Sequence, residues 1–137
     1  MVEITNNVIP IEEVINSVRN DASGGIIAYI GLIRDNSYEK KVVSVEYGDA
    51  DKSAEARLQK IVDSAKEQWP VNDMAIVHRV GKLNVGDNNL VIAVSTGHRQ
   101  EGFAACQYAI DKFKEQLPTT KKETYTDGTC LDYKPKC

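Results

Sequence analysis

The chain has few cysteines, and they do not form a framework. Cys106, Cys130 and Cys137 are odd in number and contain no C-x-x-C pair. Neither a disulfide scaffold nor a zinc knuckle is therefore expected, and a reducing compartment fits. An excess of positive charge is also missing: 17 Lys+Arg stand against 20 Asp+Glu, a formal charge of -3. That balance excludes a global field able to hold a nucleic-acid backbone or an anionic membrane, so partners must be recognised locally. No uninterrupted apolar run approaches the roughly 18 residues of a membrane span. Met1 to Asn7 carries Glu3 and no basic segment leading into an apolar one, so no secretory leader is expected and the cytoplasm is the expected location. Repeats, low-complexity tracts and linkers are absent, and no histidine–carboxylate spacing suggests a metal site. What is present is 137 residues, 42% hydrophobic and 27% charged, the length of a single domain spanning 1–137, with its lysines gathering toward the C-terminal end.

Hydrophobic spacing divides the chain. Pro10 precedes Ile11, Val14, Ile15 and Val18 at helical intervals, and Asn20, Asp21, Ser23 and Gly24 stop the pattern. Gly25 to Ile33 is too short and too glycine-flanked for a helix and reads as a largely buried strand ending at Arg34. A polar loop, Asp35–Lys41, leads to a second strand, Val42–Tyr47. Ala54, Leu58, Ile61, Val62, Ala65 and Trp69 form one helical stripe that Pro70 ends. Met74–Val80 and Asn89–Thr96 read as antiparallel strands around a turn region containing Gly86-Asp87, and Phe103, Cys106, Ile110, Phe113 and Leu117 define a helix from about Gln100 to Leu117. The β-rich flanks of Asp127-Gly128 predict a C-terminal hairpin over Thr119–Tyr125 and Thr129–Tyr133. The order α-β-β-α-β-β-α-β-β lacks repeated βαβ crossovers, so an α+β domain with a mostly antiparallel sheet is expected.

His98-Arg99 stands between a buried strand and a helix start, where free N–H groups and the helix dipole favour an anion; a helix-start pair bonded to backbone or solvent is the alternative. Arg34 ends a strand before a polar loop, a common position for a functional side chain and equally for a solvated surface charge. His78 and Arg79 fall on opposite faces of one strand, which reads as structural, one buried and the other wet. Lys114 and Lys121 are separated by a helix end and a turn, so their amines can converge. Converging or desolvated ammonium groups release a proton more easily, which lets lysine act as acid, base or nucleophile, whereas most lysines are simply solvated. Lys122-Glu123 is open to a strand-surface pairing. Thiol catalysis has one open candidate, Cys130, because Cys106 lies on an apolar stripe and Cys137 is terminal.

Taken together, G-x-I-R at Gly31–Arg34, V-E-Y at Val45–Tyr47, I-V-H-R-V-G-K-L-x-x-G-D at Ile76–Asp87 and S-T-G-H-R at Ser95–Arg99 make an ordered set, joined by the helix bearing Lys114 and by Pro118–Glu123. This set resembles the large, catalytic subunits of molybdopterin synthase, the MoaE family, over about Gly24 to Tyr133. The resemblance implies an α/β-hammerhead-like fold and a sulfurtransferase. Such an enzyme moves sulfur from the thiocarboxylated C-terminal glycine of a small ubiquitin-like subunit to cyclic pyranopterin monophosphate, forming the dithiolene of molybdopterin for molybdenum cofactor biosynthesis. It further implies a homodimer of large subunits within a heterotetramer, and no metal or dissociable cofactor. Residue by residue, it makes Lys114 and Lys121 catalytic and Arg34, His98, Arg99, Lys122 and Glu123 substrate-binding. The chain departs from the family pattern at Thr119-Thr120, where an aromatic usually precedes the second lysine, near Leu131, another usual aromatic position, and at Leu32, where a basic residue is frequent. Lys134 or Lys136 is the candidate for a basic group lent to a neighbouring site. The competing reading is a degenerate relative that serves as a dimeric binding module for the ubiquitin-like subunit without turnover.

Overall fold

The computed structural model describes residues 1–133; Lys134, Lys136 and Cys137 lie outside them. Among the described residues, nine strands and three helices follow one another as β1 (Val2–Thr5), α1 (Ile11–Ser17), β2 (Gly25–Leu32), β3 (Asn36–Ser37), β4 (Lys40–Gly48), α2 (Ala54–Gln68), β5 (Val71–Arg79), β6 (Gly81–Asn84), β7 (Asn88–Thr96), α3 (Arg99–Gln116), β8 (Thr120–Tyr125) and β9 (Cys130–Tyr133). The strands form two sheets. One has the order β1-β5-β7-β2, and the other runs β3-β4-β8-β9 with β6 also paired to β4. Only the β1–β5 pair is parallel among the described pairings, in keeping with the expected α+β class and its antiparallel sheets.

The four-stranded sheet is covered on both faces, which accounts for its central strands reading as continuous apolar runs. Met74, Ile76, Leu90, Ile92 and Val94 pack against Leu58, Ile61 and Ala65 of α2 and Ala105, Ala109 and Phe113 of α3. The alternate residues Ala75, Val77, Val91 and Ala93 face Val14 of the short α1, together with Ile9 and Val18. α2 stops at Gln68 because Trp69 precedes Pro70 and is driven into extended backbone, φ -132 and ψ 151. The second sheet has its own smaller core, in which Val42, Val45, Tyr47, Leu83 and Tyr125 are buried.

Three strands arise where the sequence predicts none. The expected loop 35–41 contains β3, which turns back onto β4 with Asn36 opposite Lys41. The segment between the two central strands contains β6, paired from Lys82 to Glu46. β1 is recruited by β5, with Val2 opposite Ile76. No described helix is long and apolar enough to cross a membrane.

Candidate active site

A cavity of about 760 Å³ opens where the two sheets meet the C-terminal end of α3, a size suited to a small organic ligand. Arg34 enters it from the end of β2, Lys114 from the last turn of α3, and Lys121 and Glu123 from β8. The period of two along β8 decides which side chains contribute. Lys121 and Glu123 share the cavity face, whereas Lys122 between them is exposed, opposite Glu46 and Asp132 in the ladder, and does not line the cavity. α3 ends at Leu117, held at φ 42 and ψ 81, and this turn redirects the chain so that Lys114 and Lys121 reach one space.

Glu123 is buried, and its Oε1 accepts hydrogen bonds from the hydroxyls of Tyr133 at 2.9 Å, Ser37 at 3.1 Å and Tyr125 at 3.3 Å. Burial, then hydrogen bonding with Tyr38 and Glu123, pushes the Tyr133 hydroxyl above its ordinary pKa, so it remains a donor. The ammonium of Lys121 lies over the Tyr133 ring, 5.1 Å from its centroid, a cation–π contact that orients the amine. On the floor, the Asn89 side-chain amide donates to the Tyr47 hydroxyl at 2.9 Å, and burial raises the pKa of that tyrosine. The cavity therefore combines cationic groups with neutral phenols and one carboxylate, a composition suited to a flat, hydrogen-bonding anion.

His98 and Arg99 lie elsewhere in the same chain, at the start of α3. With Gly24, Gly25, Gly97 and Glu101 they line a separate groove of about 480 Å³. His98 has extended backbone and makes no side-chain cap; the Thr96 hydroxyl donates to its carbonyl at 2.6 Å. Cys130 is exposed on β9, and among the described residues no cluster of His, Cys, Asp and Glu has the makings of a metal site. Of the positions where the sequence departs from family pattern, Leu32 is exposed at the cavity rim and Leu131 is exposed on β9. Sequence reasoning missed Ser37, Tyr38, Tyr47, Asn89 and Tyr133 as parts of this site. The V-E-Y motif contains Tyr47 without marking it as a site residue, and nothing local in the chain marks the others.

The chain matches the family model described as MoaE protein over residues 4–116. It is 36% identical over 118 residues to the molybdopterin synthase catalytic subunit of Pyrococcus abyssi, covering 86% of this chain and 80% of that one. To the human molybdopterin synthase catalytic subunit it is 33% identical over 137 residues, 100% of this chain and 73% of the relative. The X-ray crystal structure of molybdopterin synthase from Staphylococcus aureus superposes with a TM-score of 0.88 at 33% identity, with 96% of each chain covered. The family model covers most of the chain, relatives above 30% identity are covered over more than two thirds of their length, and a solved member shares the fold, so the chain belongs to the MoaE family.

Proposed function

We propose that the cavity between the sheets binds cyclic pyranopterin monophosphate, and that Lys114 and Lys121 serve the transfer of sulfur to it from the thiocarboxylated C-terminal glycine of a small ubiquitin-like subunit. As a MoaE-family member the chain works in molybdenum cofactor biosynthesis, as the sulfurtransferase half of a molybdopterin synthase. The observation that carries the site assignment is the convergence on one cavity of Arg34 after β2, Lys114 of α3, and Lys121 and Glu123 of β8.

The roles follow from chemistry. A guanidinium at the rim can fork two hydrogen bonds to phosphate oxygens and fix the substrate's orientation. The lysine ammonium groups can protonate the departing oxygen as the thiocarboxylate sulfur bonds to the pterin side chain, and can polarise the acyl carbonyl when water then cleaves the acyl–sulfur bond, releasing the glycine carboxylate and leaving the sulfur on the pterin. Glu123, saturated by hydroxyls on one oxygen, holds Tyr133 and through it the Lys121 amine. An extended peptide tail threaded into the cavity brings its sulfur within attack distance, so the gain is chiefly one of proximity. His98, Arg99 and Lys122 act in this reading on substrate presented from outside the chain's own cavity, in a homodimer within a heterotetramer, in the cytoplasm.

Reconstitution tests the assignment. With a thiocarboxylated small subunit and cyclic pyranopterin monophosphate, the wild type forms dithiolene and Lys121→Ala loses about a hundredfold to ten-thousandfold in rate, the usual cost of a missing acid–base group. Equal product from Lys121→Ala removes the lysine assignment. A wild-type protein that captures the small subunit and yields no product is a binding module instead.

A further inference from the structure

Beneath the cavity, and not lining it, His78 is fully buried near the end of β5. Its Nδ1 lies 2.7 Å from the Asn89 carbonyl oxygen and its Nε2 3.0 Å from the Thr119 hydroxyl. A carbonyl only accepts, so Nδ1 carries the hydrogen; in the neutral ring Nε2 is then an acceptor, and the Thr119 hydroxyl donates to it. The ring stands edge-on to Tyr47 at 4.7 Å and to Phe113 at 4.9 Å. Tyr47, Asn89 and Phe113 all line the cavity. One imidazole thus touches β4, β7, α3 and the residue that opens the approach to β8.

Thr119 is 1% exposed and follows Leu117-Pro118, where Leu117 takes a left-handed backbone at φ 42 that a β-branchless but bulky residue adopts only when its surroundings hold it. Lys114 stands one turn before this corner and Lys121 two residues after Thr119. The corner's geometry therefore sets how far apart the two amines sit, and the hydrogen bond from Thr119 is its buried tie to the central sheet.

We propose that His78 is a positioning residue: as a single Nδ1–H tautomer it latches Thr119 and so fixes the α3–β8 corner at the angle that brings Lys114 and Lys121 to bear on the same substrate. The proposal deepens the sulfur-transfer reading and rests on it for its catalytic consequence. Burial holds the imidazole neutral, pushing its pKa down to about 4, which keeps the acceptor nitrogen available to Thr119. Since the latch does not touch substrate, its loss misplaces groups that act in the transition state and leaves ground-state binding alone.

Two measurements on the whole protein test this. Imidazole nitrogen NMR of the wild type is expected to show His78 with Nδ1 protonated and Nε2 bare, unchanged from about pH 8 to about pH 5.5; an Nε2–H tautomer, or titration within that range, overturns the latch. In the reconstituted reaction Thr119→Val, which keeps the shape and removes the donor, is expected to lower kcat on the order of tenfold with KM unchanged, while Thr119→Ser restores it. An unchanged kcat in Thr119→Val, a rise confined to KM, or a serine variant as slow as the valine variant overturns it as well. If the wild type forms no dithiolene, the sulfur-transfer reading falls by itself, and the latch is then decided by the nitrogen signals, including the downfield or upfield displacement of Nε2 that Thr119→Val must cause.

Discussion

Among single side chains, Glu123 has the most depending on it. A carboxylate at 5% exposure is tolerable only because three hydroxyls converge on its Oε1. Removing it leaves one buried and two part-buried hydroxyls without their acceptor, so Glu123→Ala is expected to cost about 1–3 kcal/mol in urea unfolding, and Glu123→Gln, which retains one acceptor oxygen without the charge, about half of that. Stability equal to wild type in Glu123→Ala would mean that the hydroxyls find other partners. Cys106 is the opposite case. Burial pushes its thiol up to about 11 with no compensating charge, so alkylation at pH 8 is expected to spare Cys106 in the folded protein and reach it in urea, as peptide mapping would show. The sequence leaves Lys122 open to pairing with Glu123, whereas the period of two along β8 puts Lys121 on the face of Glu123 and turns Lys122 away from the cavity. The Glu123 partners Ser37 and Tyr133, distant by 86 and 10 residues, belong to a fold that local pattern does not encode.

At the level of elements, the chain reveals what is long and hides what is short. Both long helices have apolar stripes, and their ends fall at Trp69-Pro70 and Leu117-Pro118 where proline forces them. β1, β3 and β6 have at most four residues each and carry no period of their own; each exists because an edge of a longer strand has unpaired groups to satisfy. The approach of α3 to the sheet depends on small residues, and Gly102 is a close point: a Cβ there would lie 2.9 Å from the Thr96 hydroxyl oxygen and 3.0 Å from Cγ1 of Ile27. Gly102→Val is expected to destabilise by about 1–3 kcal/mol through overpacking, although glycine within a helix is intrinsically unfavourable. Gly25→Ala provides the control, because a Cβ at that position meets nothing within 4 Å, and its unfolding midpoint should stay close to wild type.

For the molecule as a whole, buried histidine couples fold to pH. Burial lowers the His78 pKa to about 4, against smaller opposing effects of the Asn89 carbonyl and the Asp49 carboxylate. The unfolded chain therefore takes up a proton near pH 6.5 that the folded chain refuses until about pH 4, and stability falls as pH drops through that window, by roughly 3 kcal/mol from this group. Above pH 6.5 both states are neutral and the contribution is complete. Urea titrations at pH 7 and pH 4.5 should show a smaller acid loss in His78→Gln than in the wild type, and an equal loss would assign the acid sensitivity to carboxylates alone.

The larger question at this scale is why residues that the sequence motifs join are separated by the fold. Arg34, Lys114, Lys121 and Glu123 share a cavity, while His98 and Arg99 line a groove at the other end of α3. α3 runs from Arg99 to Gln116, so Arg99 and Lys114 are held on nearly opposite ends of a rigid helix at 1.5 Å per residue, and no side-chain motion closes that gap. Two copies arranged about a two-fold axis can do what one cannot, placing the groove of each against the cavity of the other. Co-expression of Arg99→Ala and Lys121→Ala chains under different tags tests this directly. Each variant alone is expected to be inactive. In the mixture half of the dimers are hybrids, and each hybrid has one doubly defective site and one site that takes Lys121 from one chain and Arg99 from the other, so about a quarter of wild-type activity returns. Were Arg99 and Lys121 to act within a single chain, every site in every combination would lack one of them and the mixture would stay silent; full activity in Arg99→Ala alone would remove that arginine from the reaction altogether.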